Sequence, residues 1–126
     1  MIDLRGFIGT EHYHKLDLFS GYLATDGVKE MAEQFNAYWL ASDILICQKM
    51  VNALREQPFV IWKLKKSNNP EKAAQLIADD GNGQIIYTQD YLVTNFPFGK
   101  YISDQSDATT FTLFFTDGIL LLLSEN

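Results

Sequence analysis

The sequence predicts an α+β protein in which N-terminal helices pack on a C-terminal antiparallel sheet of about five strands. Three observations predict it. Apolar residues recur at three- and four-residue spacing up to Glu56, and at two-residue spacing from Phe59 onward. The chain then closes on two apolar runs joined by Thr116-Asp117-Gly118. Helical runs followed by strand runs define the α+β class, and Asp-Gly readily adopts the positive φ angles of a two-residue hairpin turn.

The elements follow in chain order. Residues 1–9 form a lead-in broken by Gly6 and Gly9. Thr10 is suited to N-capping a short helix over 11–19, with Glu11 in its first turn and Gly21 ending it. Thr25 or Asp26 can cap a second helix over 26–36, where Val28, Met31, Ala32 and Phe35 share one face. Asn36 marks a break or a kink. A longer helix over 37–56 carries Leu40, Ile44, Cys47, Val51 and Leu54 on one stripe. Pro58 stops it, because the residue before a proline is disfavoured in helix.

Strands are predicted at 59–66, 73–79, 84–93, 110–116 and 119–124. In the first, Val60, Trp62 and Leu64 share one face, with Phe59, Ile61, Lys63 and Lys65 on the other. Ala, Gln and Leu in 73–79 favour helix, but the Asp79-Asp80-Gly81-Asn82-Gly83 turn demands a strand on either side to close a hairpin. Asn95 to Gly99 and Ser103 to Asp107 read as loops. A lone hairpin is marginal, so 110–124 belongs to the larger sheet.

At 126 residues the chain fits one domain with one core. Its 47% hydrophobic and 21% charged content separates it from disordered chains. Cys47 is the only cysteine, which excludes an intramolecular disulfide and a cysteine-based zinc site. A lone cysteine and no signal segment point to the cytoplasm, and the longest apolar run, Ile119 to Leu123, is too short to span a bilayer. The net charge of −6 opposes bulk attraction to nucleic acid. Six bases nonetheless fall between Lys49 and Lys72. Lys63 and Lys65 there suit an edge strand guarded against unwanted pairing.

Catalytic motifs of the common hydrolases and nucleotide-binding proteins are missing: no Gly-x-Ser-x-Gly, no Gly-Lys-Ser/Thr, no His-Glu-x-x-His. His12 and His14 flank Tyr13. On a strand they would share a face and could begin a metal site; on the predicted helix they point about 200° apart and cannot. The Asp79–Gly83 string lacks the spacing and the terminal Glu of a calcium loop. No catalytic, cofactor-binding or metal residue is therefore assigned, and no cofactor is expected. The aromatics are the better guide. Tyr38, Trp39, Trp62, Tyr87, Gln89 and Tyr91 are the candidate contact surface, with Ile85 joining the strand residues in one stripe. Packing in the core is the competing role for Trp39 and Trp62.

Several strings together carry a resemblance: Gly9-Thr10-Glu11 with Tyr13, Thr25-Asp26-Gly27-Val28, Ala37-Tyr38-Trp39-Leu40 and Trp62-Lys63-Leu64, followed by Asp80-Gly81-Asn82-Gly83, Tyr87-Thr88-Gln89, Asn95-Phe96-Pro97 and Asp117-Gly118-Ile119-Leu120-Leu121. They resemble a family of uncharacterised bacterial proteins, a domain of unknown function met in bacterial, plasmid and phage genomes. The resemblance runs over nearly the whole chain and implies a stand-alone member. Leu123 stands where that family would have Pro. No activity and no catalytic residue is implied by it.

Three functions are compatible with these residues. The first is a small cytoplasmic protein-binding module, with a homodimer as one form, because both faces of 59–65 and of 110–124 are largely apolar and about three helices must cover them. The second is a metal-dependent or hydrolytic enzyme using His12 and His14, with Asp26 and Asp43 as acids or bases. The third is an acidic mobile-element inhibitor of a host defence factor, although its Asp residues are scattered where a phosphate mimic needs rows. The first leads. It expects a protein partner, no nucleic acid and no membrane.

Overall fold

The change of period after Pro58 divides the fold, as a computed structural model describing residues 2–3, 12–98, 101–102 and 109–125 shows. In chain order the elements are β1 (Ile2–Asp3), β2 (Leu23–Ala24), α1 (Asp26–Gln34), α2 (Tyr38–Met50), α3 (Asn52–Arg55), β3 (Phe59–Lys66), β4 (Ala74–Asp79), β5 (Ile85–Tyr91), β6 (Tyr101–Ile102), β7 (Thr110–Thr116) and β8 (Ile119–Leu122). A 3-10 turn over Leu123–Glu125 follows. The main sheet is six-stranded, in the order β2-β8-β7-β3-β4-β5, and β1 pairs with β6 separately. Helices on the N-terminal side and a mostly C-terminal sheet are the architecture expected of the sequence.

Local chemistry accounts for the boundaries. Asn36, at φ 52°, takes the left-handed conformation that ends α1. The Ala37 N–H reaches the Ala32 carbonyl at 2.8 Å and the Asn36 N–H reaches that of Glu33 at 3.4 Å, the paired bonds of a Schellman closure. Asp117 and Gly118, at φ 53° and 77°, form the closing hairpin turn and set Thr116 against Ile119. The 73–79 segment holds strand β4, which begins at Ala74 and pairs through the Asp79–Gly83 turn with β5.

Five expectations need correction. The predicted helix over 11–19 does not form across its described residues. The Asp17 carboxylate instead takes the N–H groups of Phe19 and Ser20, at 2.9 and 2.7 Å, and the Ser20 hydroxyl at 2.7 Å. Such local bonds compete with helix. The His14 backbone meanwhile exchanges two hydrogen bonds of 2.8 Å with Ala24. The expected cap at Thr10 lies outside the described residues. The long helix breaks at Val51, whose extended backbone (ψ 114°) separates α2 from α3. The strands predicted at 84–93 and 119–124 stop earlier, at Tyr91 and Leu122, where bend and 3-10 geometry take over. The sheet is mixed rather than wholly antiparallel, because β2 runs parallel to β8. Finally, β2 is a strand within the otherwise helical front of the chain.

One face of the sheet meets the helices. Val60, Trp62 and Leu64 of β3, Leu76 of β4, and Phe111 and Leu113 of β7 are fully buried there against Leu40, Ile44 and Leu45 of α2. Gln48 is the polar inclusion, its carboxamide accepting from Trp62 Nε1 at 3.1 Å and donating to the Leu54 carbonyl at 2.8 Å. Both of its ends are satisfied, so the tether holding α3 to the sheet carries no unpaired polar group.

The end of the chain closes the start of α1. Thr25 accepts the Val28 N–H, while Glu125 accepts the Gly27 N–H at 3.1 Å, the Leu122 N–H at 3.0 Å and the Thr25 hydroxyl at 2.5 Å. A carboxylate at a helix N-terminus is favoured by both its free amides and its dipole. Gly27 leaves room for it: a Cβ there would stand 2.6 Å from Glu125 Oε1 and 2.7 Å from Leu122 Cδ1. Gly→Ala inside a helix ordinarily stabilises by about 0.5–1 kcal/mol. Here the methyl must evict a carboxylate holding three bonds, so Gly27→Ala is expected to lower stability by about 1–2 kcal/mol, the scale of a lost cap. Urea denaturation checks it; an unchanged or raised midpoint would refute this closure.

Candidate functional site

Burial on the helix-facing side of the sheet falls off toward one edge. Those positions are fully buried on β3 and β4, but Tyr87, Gln89 and Tyr91 of β5 are only half-buried. The facing side chains of α2 are Trp39, Asp43 and Cys47, spaced by four. Four helical residues advance about 6 Å and two strand residues about 6.6 Å, so the two series stay in step. The contacts follow in opposite chain directions. Trp39 meets Tyr91 edge to face, with ring centroids 5.2 Å apart at 70°. The Tyr91 hydroxyl donates to Asp43 Oδ2 at 2.7 Å. Cys47 Sγ lies 3.6 Å from the Tyr87 hydroxyl and 3.7 Å from Gln89 Oε1, and Tyr87 donates to Gln89 Oε1 at 3.0 Å.

Beyond Tyr91 the helix and strand part around a cavity of about 590 Å³ lined by Trp39, Asp43, Tyr91, Val93, Thr94 and Asn95. Its volume is that of an ordinary ligand cleft. Trp39 Nε1 donates to Asn95 Oδ1 at 3.2 Å, tying one wall to the loop after β5. A second cavity, on the Phe96-Pro97-Phe98 side, shares Thr94 and Asn95 with the first.

Electrostatics in this row favour neutral phenols and a neutral thiol. Burial, then the hydrogen bond to Asp43 and its charge, hold the Tyr91 phenol well above the ordinary tyrosine range. The hydrogen bond with Cys47, followed by partial burial, pushes Tyr87 up to about 12. Burial raises the Cys47 thiol, with Asp43 adding to the rise and the Tyr87 hydrogen bond opposing it. Cys47 is therefore placed as a packing group, not as an activated nucleophile.

The six residues read from the sequence as a contact surface are split by the fold. Trp62 is completely buried and cannot present itself at a surface. Tyr87, Gln89 and Tyr91 point toward α2, and only Ile85 of that stripe stands out, at 59% exposure. Tyr38 is exposed and donates to Glu33 at 3.1 Å. Trp39 joins Tyr91 in the cleft. Asp43, Val93, Thr94 and Asn95 were not expected there; the four-residue spacing of Trp39, Asp43 and Cys47 was the signal that could have found Asp43.

His12 and His14 lie on an irregular extended segment, so the helical spacing that would separate them does not apply. His14 Nε2 is 2.7 Å from Asp26 Oδ1, and Asp26 Oδ2 accepts the His12 backbone N–H at 3.3 Å. Among the described residues, no group of three or more His, Cys, Asp or Glu is placed to hold a metal ion. Nor is any described helix long and apolar enough to cross a membrane.

The fold and its cleft define an α+β protein with one helical layer on a mixed sheet, open along β5. The chain belongs to DUF6876, a family of unknown function, which it matches over residues 2–126. That agrees with the resemblance in one respect, a domain of unknown function running over nearly the whole chain. No curated protein and no solved structure matches it.

The raised phenols predict an alkaline instability. Above about pH 10 the unfolded chain releases its tyrosine protons while folded Tyr87 and Tyr91 keep theirs. The native state then binds more protons, so stability present below about pH 10 is lost progressively as pH rises toward about 12 for Tyr87. Tyr87→Phe should flatten that loss. Ultraviolet titration of the native protein should show late-ionising tyrosines that vanish in Tyr87→Phe and Tyr91→Phe; a single step near the free-tyrosine value would contradict the packing of this row.

Proposed function

We propose that this is a protein-binding module whose partner lies along β5. The observation that carries the reading is that β5 ends the six-stranded sheet, pairing only with β4 among the described strands. Its seven residues hold no Lys and no Pro, so its guards against added strands are Asp90 and the bulge between Ile85 and Tyr87. Ile85 opens it at 59% exposure, and Leu92 and Val93 follow it at 76% and 83%. An extended segment added to such an edge gains main-chain hydrogen bonds, and side-chain pockets set its specificity. A second copy of the chain is one such partner. Against this, β2 at the other edge is only two residues long and offers little to pair with.

The half-buried, single Cys47 suits a reducing cytoplasm, which we take as the compartment. No chemical step is assigned to the molecule; the work is done by contact.

The test is a charge placed on the rim. Ile85→Lys with Leu92→Lys changes two exposed side chains, so the circular dichroism spectrum and unfolding midpoint should stay near those of the parent. Light scattering and affinity capture should show an assembly, with a second copy or with another protein, that the parent makes and the double variant loses. A parent that stays monomeric and captures nothing, or capture equal in both forms, would end this reading.

A further inference from the structure

Asp43 is a carboxylate set among apolar and aromatic walls without a cation. Tyr91 satisfies Oδ2, and none of the ion pairs among the described residues involves Asp43. It lines the cavity with the Trp39 and Tyr91 rings, which pack on each other at 70°. Trp39 and Tyr91 have spent their own donors on Asn95 and Asp43. What remains is the Asp43 charge and aromatic surface, beside the Thr94 hydroxyl and the Asn95 amide. Both attract one chemistry: an organic cation gains from the ring quadrupole, pairs with the carboxylate, and lays its hydrocarbon stem on the apolar wall at Val93. A carboxylate or phosphate would meet repulsion from Asp43, and a neutral apolar group would leave the charge dehydrated and unpaired.

We infer that the Trp39–Asp43–Tyr91 cleft is a recognition pocket for the cationic side chain, lysine or arginine, of the extended protein segment that docks on β5. This rests on the proposed docking along β5 and adds what specifies the partner. The placement supports it: Tyr91 is the last residue of the edge strand and Val93 follows two positions later, so a segment paired along β5 would run past the mouth of the cleft. Residues 73–126, which include β5 and the far wall, carry seven acids against Lys100 alone, and so also draw a basic partner.

The two tryptophans supply an internal control, since Trp39 lines the cleft while Trp62 is buried with its indole on Gln48. Butylammonium and butylguanidinium chlorides, as side-chain mimics, are titrated into nitrogen-15-labelled protein and the two indole N–H signals followed. Saturable movement of the Trp39 signal is expected, with Trp62 unmoved and 1-butanol giving no comparable shift. Asp43→Asn keeps an acceptor for Tyr91 but not the charge, and should weaken the cation by about tenfold, the scale of one part-buried charge pair. Equal response to butanol, no response at all, or unchanged affinity in Asp43→Asn overturns the pocket. Ile85→Lys with Leu92→Lys leaves the cleft intact, so it should keep the small cation while losing the partner. If Asp43→Asn retains a β5-dependent partner at full strength, the pocket is refuted and the docking edge stands; cation binding without any β5-dependent partner refutes both the docking and the side-chain role.

Discussion

One layer of helices has to cover a sheet six strands wide, and the packing of α2 decides where that cover ends. Leu40, Ile44 and Leu45 are spent on β3, β4 and β7, where the facing side chains lose all contact with water. The neighbouring stripe of the same helix, Trp39, Asp43 and Cys47, is what remains for β5. It reaches Tyr91 and Tyr87 with one row of contacts and then leaves a gap. Four residues on a helix and two on a strand advance by nearly the same distance, which is why a single row suffices to register the two elements. The half-burial of β5 and the cleft beyond it both follow from this geometry.

Polar groups inside the fold sit where they join elements that the apolar packing alone would leave loosely oriented. Gln48 ties the Trp62 indole to the last carbonyls of the helical layer. Glu125 ties the chain's closing turn to the first amides of α1. Asp43 is different. Its single hydrogen bond among the described residues leaves a part-exposed carboxylate in an aromatic setting, open to a cation that enters the cleft. Gln48 and Glu125 join elements inside the fold, whereas Asp43 also lines a cleft, and that contrast distinguishes scaffold from site.

Much of the fold was legible because it is written in local chemistry. Asp117-Gly118 can adopt the positive φ angles of the closing turn, Asn36 can end a helix in the left-handed region, and Pro58 stands at the change of period. The illegible parts depend on distant partners. Residues 12–17 have composition compatible with helix, but Asp17 captures two nearby amides and His14 pairs with Ala24 ten residues on. Leu23-Ala24 is too short to register as a strand without β8 beside it. Alternation along 84–93 placed Tyr87, Gln89 and Tyr91 on one face correctly. Read from the sequence as an exposed contact surface, that face instead meets α2, because its cover depends on how far α2 extends across the sheet.

The account turns on α2 meeting β5 through the Asp43–Tyr91 contact, and a double-mutant cycle on that pair tests it most directly. Asp43→Ala, Tyr91→Phe and the combined variant are compared by urea unfolding. A coupling of about 0.5–3 kcal/mol is predicted, as for residues that share a hydrogen bond in a packed setting. Strict additivity of the two substitutions would mean that helix and edge strand do not meet there, and the cleft built on their meeting would not exist.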